Sequence, residues 1–169
     1  MQEYKLLQHE FPPVYDSGSR ILILGSFPSV KSREVQFYYG HPQNRFWKVL
    51  AAVAEAEVPQ SIEEKKSFLH RHGIALWDVI AECEIVGSSD SSIRSVVPVD
   101  LPLVLGQAPI QAIYTNGNKA YELYQKYLLP MTGRACEKLP STSPANAAYS
   151  LARLVDCWMG IRECLQSAG

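Results

Sequence analysis

The chain has 169 residues, of which 47% are hydrophobic, and its 16 lysines and arginines almost balance its 17 aspartates and glutamates, giving a formal net charge of −1. A chain of this length can bury a core as one unit, so we predict a single domain over residues 1–169. The near-zero charge disfavours tight, charge-driven binding to nucleic acid. The lack of a long apolar run and of an N-terminal signal segment predicts a cytoplasmic protein without membrane contact.

The first half of the chain predicts a buried strand, two helices and a second strand. Arg20–Ser26 is a short, continuously apolar run, which is typical of a strand covered on both faces. Asn44–Glu57 has apolar residues at helical spacing. Ser61–His72 begins at a serine suited to capping a helix and has acidic residues in its first turn. Ile74–Ile80 is the second predicted strand.

The second half continues the alternation of strands and helices. Residues 88–107 are interrupted by two prolines and predict only a short helix near Asp100–Gly106. The elements that follow are the strand Ile110–Thr115, the helix Asn118–Leu129, the strand Ala135–Leu139 and the helix Asn146–Leu165. This order predicts an α/β fold of three layers, α/β/α, around a central, mainly parallel four-stranded sheet. Ligands bind beyond the carboxyl ends of such strands, so we expect the site in the loops after Leu24 and Leu139.

The first of these loops is Gly25-Ser26-Phe27-Pro28-Ser29, called the first loop below. Gly25 permits a positive φ or the close approach of a ligand. Pro28 stiffens the loop, so that nearby amides can donate to a ligand. A plain strand-to-loop turn accounts for the same residues. No G-K-[ST] follows, which excludes a phosphate-binding P-loop.

An aromatic segment, Gln36–Trp47, leads into the first long helix. Phe46 and Trp47 are predicted to be core residues. Tyr38 and Tyr39 are adjacent, so they cannot both point inward in an extended loop. One of them could stack on a base that has been turned out of a nucleic-acid helix.

Two polar residues of the aromatic segment have two interpretations each. Asn44 stands where the helix begins and fits an N-cap. Its amide, which both donates and accepts, equally fits a group that holds a water or a base edge. His41 is either a turn residue or a group that meets developing negative charge.

The second loop, Pro140-Ser141-Thr142-Ser143-Pro144-Ala145-Asn146, separates the last strand from the last helix. It fits a turn in which Ser143 or Asn146 caps the helix. It also fits a loop that grips phosphates through hydroxyls and a helix N-terminus. The basic residues near these motifs are Lys31, Arg33, Arg45, Lys48 and Lys138, for which ordinary solvated charge is the favoured interpretation.

Together, the segments ILILGSFPS, YYGHPQNRFW and LPSTSPAN resemble the uracil-DNA glycosylase superfamily. The match is close over Arg20–Leu50 and looser over the second loop. The pattern is nearest to the hypoxanthine-DNA glycosylases, which share G-S-F-P-S. The related mismatch-specific uracil/thymine-DNA glycosylases share H-P-x-N-R-F-W but have G-I-N-P-G in the first loop. Phe27 stands where that motif has its water-positioning asparagine. The hypoxanthine-type enzymes rely instead on the asparagine of the H-P-x-N segment, so the resemblance implies that Asn44 has this role.

The resemblance implies a monofunctional enzyme of base-excision repair. It would act on double- or single-stranded DNA that contains a deaminated base, most readily hypoxanthine. It would flip that base out and hydrolyse the glycosidic bond to leave an abasic site. The implied residues are the catalytic Asn44 and His41, a base pocket of Gly25, Ser26, Phe27, Pro28, Ser29 and Tyr39, and the DNA-binding Ser141, Thr142, Ser143, Pro144, Ala145 and Asn146.

The resemblance also implies a monomer that needs no cofactor. The four cysteines have no metal-ligand spacing, so no metal site is expected. Two alternatives stay open from the sequence: a mismatch-type uracil-DNA glycosylase, and a DNA-binding relative that has lost catalysis.

Overall fold

The computed structural model describes residues 3–165. The strands are β1 (Lys5–Gln8), β2 (Ile21–Gly25), β3 (Ile74–Asp78), β4 (Ile80–Ile85), β5 (Arg94–Pro98), β6 (Ala112–Asn116) and β7 (Glu137–Leu139). The helices are α1 (Val30–Val35), α2 (Phe46–Ala54), α3 (Ile62–His72), α4 (Leu101–Leu105), α5 (Asn118–Leu123), α6 (Leu129–Thr132) and α7 (Leu151–Trp158). A π-helical turn, Tyr124–Leu128, joins α5 to α6, and 3-10 turns cover Asp90–Ser92 and Met159–Cys164.

Four strands form the predicted parallel sheet, in the order β3-β2-β6-β7. Every residue of β2 and β3 is buried, although successive side chains point to opposite faces of a sheet. Both faces must therefore be covered, as in other parallel sheets. In the register, Gly25 lies opposite Asp78 and Asn116 lies opposite Leu139. These four residues end their strands and mark one edge of the sheet.

The helices complete the three-layer α/β/α arrangement that the sequence predicted. α3 packs on β3, α5 packs on β6 and β7, and α2 packs against α7. Phe46 of α2 and Trp158 of α7 are both fully buried and meet edge to face, with ring centroids 6.0 Å apart. Burying a side chain such as Phe contributes about 1.5–3 kcal/mol. This contact ties the end of the aromatic segment to the last helix.

A second sheet, antiparallel and ordered β1-β4-β5, is absent from the sequence prediction. The run Ile74–Ile80, predicted as one strand, is divided between the two sheets: β3 ends at Asp78 and β4 begins at Ile80. β1 and β5 have mostly exposed side chains and so lack the apolar alternation that reveals a strand. The second sheet matters to the site because the chain that leaves β1 places His9 beside Asp78.

Most helix predictions are confirmed, with shifted ends. α2 begins at Phe46 rather than Asn44. α3 begins after Ser61, which caps it as predicted by accepting from an N–H three residues on. The helix predicted over Asn118–Leu129 continues through the π-helical turn to Thr132. Among residues 3–165, no helix is long and apolar enough to cross a bilayer.

The prediction for the last helix, Asn146–Leu165, is wrong at both ends. α7 begins at Leu151, after an N-cap at Ser150, and a 3-10 turn follows it. The guanidinium of Arg45 binds the carbonyls of residue 146 and Tyr149. An α-helix through these positions would direct those carbonyls to its own N–H groups, so this binding holds the segment as a loop.

Candidate active site

A cavity of about 290 Å³ opens at the edge where the parallel strands end. Its volume lies just below the usual range for ligand sites, roughly 300–1,000 Å³, and suits a single small ring system. The lining consists of residues 25–29 of the first loop, Tyr38, Tyr39, His41 and Asn44 of the aromatic segment, residues 141–145 of the second loop, and Ser32, Asp78, Ser88, Asp90 and Asn116. Every residue predicted for the site lies on this lining, except Asn146.

Gly25 allows the cavity wall to pack closely, and its φ is not positive. A Cβ at this position would lie 2.5 Å from Oδ1 of Asp78 and 3.1 Å from the hydroxyl of Tyr39. The residue that approaches Gly25 is therefore a neighbouring side chain of the same protein. The other end of the first loop is held by Ser29, whose hydroxyl caps α1 by accepting from the Ser32 N–H at 3.1 Å.

The Asn44 side chain is oriented by two donors to one oxygen. Its Oδ1 accepts from the Phe46 N–H at 2.9 Å and from the Thr142 hydroxyl at 2.8 Å. An amide oxygen has two lone pairs, so these bonds fill it and leave the two N–H groups of the amide for a ligand in the cavity. The contact to Phe46 is the cap-like interaction that was one of the two interpretations of Asn44, and the residue also lines the cavity.

Thr142 is itself held by Asn116 at the end of β6. The Thr142 N–H donates to Oδ1 of Asn116 at 3.0 Å, and Nδ2 of Asn116 donates to the Thr142 hydroxyl at 3.0 Å. Thr142 is fully buried. The prediction that its side chain contacts DNA is therefore wrong, because the hydroxyl is bonded to Asn44 and Asn116 inside the protein. The result is a chain of hydrogen bonds from the sheet edge to the Asn44 amide.

The two adjacent tyrosines have different surroundings. Tyr38 is buried in the core, and its hydroxyl donates to the carbonyl of Pro12 at 2.9 Å. Tyr39 adopts a left-handed conformation, with φ 54°, and stacks on Phe46 with ring centroids 3.9 Å apart. Burial, and after it the charge of Asp78, raises the pKa of Tyr39 above its usual range. Its hydroxyl therefore stays protonated and can act as a donor.

His41 is half-buried at the cavity. Its Nδ1 accepts from the Gln43 N–H at 3.1 Å. This bond identifies Nδ1 as the unprotonated nitrogen, so Nε2 bears the hydrogen in the neutral ring. His41 thus makes the turn contact that was one of its two interpretations, and its role toward developing negative charge stays a prediction.

Arg45 holds the second loop in place. Its guanidinium donates to the carbonyls of Ser143, Asn146 and Tyr149. This residue is thereby occupied inside the protein and does not belong to a basic rim. The predicted helix caps at Ser143 and Asn146 are wrong. The Asn146 amide instead donates to the carbonyl of Ser141 at 3.0 Å, so it braces the loop from outside the cavity.

Two carboxylates of the cavity were missed by sequence reasoning. Asp78 accepts from Nε2 of His9 at 2.7 Å, and both side chains are almost completely buried. Asp90 lies at the mouth, where its Oδ1 accepts from the Ser26 hydroxyl at 3.0 Å. Desolvation raises the pKa of Asp90, and the bond from Ser26 opposes that rise. The position of Asp78 at the end of a buried strand is a signal that could have identified it.

Comparisons with known proteins bear on this fold and site. The family profile of the uracil DNA glycosylase superfamily matches residues 12–161. A hypoxanthine DNA glycosylase from Methanosarcina acetivorans is 37% identical over 147 residues, which cover 86% of this chain and 92% of that protein. One from Methanosarcina barkeri is 36% identical over 139 residues, covering 80% and 86%. The solution NMR structure of a candidate uracil DNA glycosylase from Methanosarcina acetivorans has a TM-score of 0.77 and 36% identity, covering 90% of this chain and 94% of that one.

Proposed function

The chain belongs to the uracil-DNA glycosylase superfamily, and on that premise we propose that it is a DNA repair enzyme that removes hypoxanthine from DNA by hydrolysis. The family that the sequence motifs indicated is therefore confirmed. Two relatives named as hypoxanthine DNA glycosylases support the choice of base. The observation that supports the chemistry most directly is the Asn44 amide, whose oxygen is filled by two donors and whose N–H groups face a cavity suited to one base.

Asn44 acts in this proposal by holding the attacking water. Its amide N–H donates to the water oxygen and leaves a lone pair of that oxygen directed at C1′ of the sugar. The new C1′–O bond forms as the C1′–N9 bond breaks, and the electron pair of the broken bond leaves with the purine. The proton of the water passes to the departing base or to solvent. Fixing the amide in advance lowers the cost of ordering the water.

The departing purine carries negative charge, which the cavity meets with hydrogen-bond donors. The candidates are Nε2 of His41, the hydroxyl of Tyr39 and the backbone N–H groups of the first loop. Donors fixed before the reaction stabilise such charge without reorganisation. None of the described residues that line the cavity is a lysine. This supports a monofunctional glycosylase over one that forms a Schiff base.

The exposed part of the second loop is the proposed DNA contact. Pro144 and Ala145 are exposed, while Ser141 and Ser143 are half-buried. The Ser141 hydroxyl accepts from the Ser143 N–H, and the Ser143 hydroxyl accepts from the Ala145 N–H. Both hydroxyl hydrogens can therefore still donate to phosphate oxygens. The monomer that the resemblance implies stays a prediction.

Replacing both serines of the loop tests the DNA contact. The Ser141→Ala/Ser143→Ala protein should bind duplex DNA more weakly, while its single-turnover cleavage at saturating enzyme changes less. Lys126→Ala, on the π-helical turn and outside the cavity lining, is the charge-changing control. Unchanged duplex affinity in the double variant would leave the loop with a purely structural role.

A panel of duplexes and single strands, each with one lesion, tests the proposed function itself. We expect hypoxanthine to be released with an alkali-labile abasic site, at a higher rate than uracil or adenine. Faster release of uracil would favour a mismatch-type uracil-DNA glycosylase. Tight binding to the hypoxanthine duplex without any abasic site would favour a non-catalytic relative. The latter two outcomes each contradict the proposal.

Variants of Asn44 test its catalytic role. Asn44→Ala should lower stability by about 0.5–2 kcal/mol through the lost cap-like bond from the Phe46 N–H, and it should slow the cleavage step by orders of magnitude. Asn44→Asp retains an oxygen for both donors, so its stability should stay near that of the wild type. Its carboxylate can take a proton from water, so residual activity should depend on pH. Near-normal single-turnover release of hypoxanthine by folded Asn44→Ala protein would refute the catalytic role of Asn44.

A further inference from the structure

Asp78 and His9 form a buried pair at the inner wall of the cavity. Nε2 of His9 lies 2.7 Å from Oδ2 of Asp78, and their side chains are 5% and 6% exposed. The His9 ring is enclosed by Phe11, Phe27 and Tyr38, with centroid distances of 4.6, 6.2 and 5.9 Å. Its Nδ1 is buried without a hydrogen-bond partner. An N–H at Nδ1 would be buried without a partner, so the hydrogen is assigned to Nε2, which donates it to Asp78.

The other oxygen of Asp78 faces the cavity. Asp78 lines the cavity and is 4% exposed. Its Oδ1 lies so close to the backbone of Gly25 that a Cβ there would be 2.5 Å away, and the hydroxyl of Tyr39 lies near the same point. His9 therefore fixes the carboxylate with one oxygen occupied and the second directed at the space over the first loop. A base in the cavity meets an acceptor at this wall.

We propose that Asp78 is the residue that distinguishes the deaminated purine from adenine. This inference rests on the proposed function and names a specificity determinant for it. Hypoxanthine has a hydrogen on N1, beside its 6-oxo group, and can donate it to Oδ1. Adenine has a lone pair at N1, which would face the carboxylate and repel it. The ring N–H is shared by uracil, so Asp78 separates deaminated bases from their amino precursors rather than one deaminated base from another.

His9 extends the same selection to guanine. Guanine also has a hydrogen on N1, but next to it bears a 2-amino group, which could donate to the second oxygen of a free carboxylate. Oδ2 of Asp78 already accepts from His9. The imidazole occupies the approach to that oxygen, so a bound guanine would place its amino group against the ring without reaching Oδ2, and an unpaired buried donor is costly. Hypoxanthine has only hydrogen at C2 and leaves no group unmatched.

Asp78→Asn tests the first part of the proposal because it preserves shape and removes the outward acceptor. With its oxygen held by His9, the new amide presents N–H groups to the cavity. We expect the ratio of single-turnover rates for hypoxanthine and adenine, in otherwise identical duplexes, to fall at least tenfold, equivalent to ~1.4 kcal/mol. The control is Asp156→Asn, which removes an exposed carboxylate of α7 and should leave the ratio unchanged.

Binding provides a readout that does not depend on turnover. In an Asn44→Ala background, the protein should prefer the hypoxanthine duplex to the adenine duplex, and adding Asp78→Asn should abolish that preference. A folded Asp78→Asn protein that retains the wild-type preference in both assays would overturn the proposal. Failure of the wild-type enzyme to release hypoxanthine at all would instead contradict the proposed function, so the two failures are distinguishable.

His9→Ala and His9→Gln test the second part. His9→Ala frees Oδ2 and vacates the space beside it, so release of guanine relative to hypoxanthine should rise at least tenfold. The amide nitrogen of the glutamine variant can still donate to Asp78, and this variant should retain the exclusion of guanine. Equal guanine release by wild type and a folded His9→Ala protein would refute the role of His9. Thermal unfolding measured on each variant identifies those that are folded.

Discussion

Thr142→Val removes the hydroxyl group that orients the proposed catalytic amide. Valine has nearly the shape of threonine, and Thr142 is fully buried, so packing should be preserved. The bonds from its backbone N–H to Asn116 and from the Arg45 N–H to its carbonyl do not involve the side chain and should persist. The change removes only the hydroxyl that donates to Asn44 and accepts from Asn116.

The expected magnitudes follow from these two bonds. Each buried hydrogen bond contributes about 0.5–1.5 kcal/mol net, so stability should fall by about 1–3 kcal/mol. Asn44 retains the N–H of Phe46 as its remaining donor, so the amide loses one of its two restraints. A loss of ~1.4 kcal/mol of transition-state stabilisation is a tenfold effect, and we expect the cleavage rate to fall by about tenfold to a hundredfold.

Single-turnover release of hypoxanthine, measured with duplex affinity and thermal unfolding, separates orientation from folding. Thr142→Val should slow cleavage while binding changes by about twofold or less, because its hydroxyl does not reach the DNA surface. Thr142→Ser keeps the hydroxyl and should restore most of the rate, although it loses a methyl group. If the valine variant is less stable but cleaves at the wild-type rate, the hydrogen bond to Asn44 is structural and the reasoning fails.

Three further changes probe the walls of the site. Gly25→Ala should lower hypoxanthine release strongly, because the added methyl collides with Asp78, whereas Gly160→Ala, where a Cβ has open space, is the matched control; equal activity of the two variants would contradict the packing argument. Arg45→Gln should cost about 1.5–3 kcal/mol or more of stability through its lost charged hydrogen bonds, and should make the second loop more sensitive to proteolysis than in the wild type. Burial raises the pKa of Cys83 to about 11, so this thiol should resist alkylation of the native protein below that pH, while the exposed Cys157 reacts first in a mass-spectrometric time course; early labelling of Cys83 would refute its burial.

The location of the site was determined by the sequence itself. The short apolar run within Arg20–Ser26 favours a strand covered on both faces, and such strands occur in parallel sheets with helices between them. Parallel strands end at one edge, so the loops that follow them must meet there. The first and second loops could therefore be expected at one edge of the sheet, and the resemblance added the aromatic segment. In the structure all three segments line the same cavity.

The partners of each polar side chain were decided by the tertiary structure. His9 and Asp78 are 69 residues apart, and Asn44 and Thr142 are 98 apart. No local pattern specifies such pairs, because they depend on strand order, on register and on the short second sheet that lacks apolar alternation. The start of α7 was hidden for the same reason: residues 146–150 are held out of the helix by Arg45, which lies about a hundred residues earlier in the chain. Hydrophobic periodicity acts over a few residues, whereas a buried polar group must find its partner wherever the fold brings one within reach.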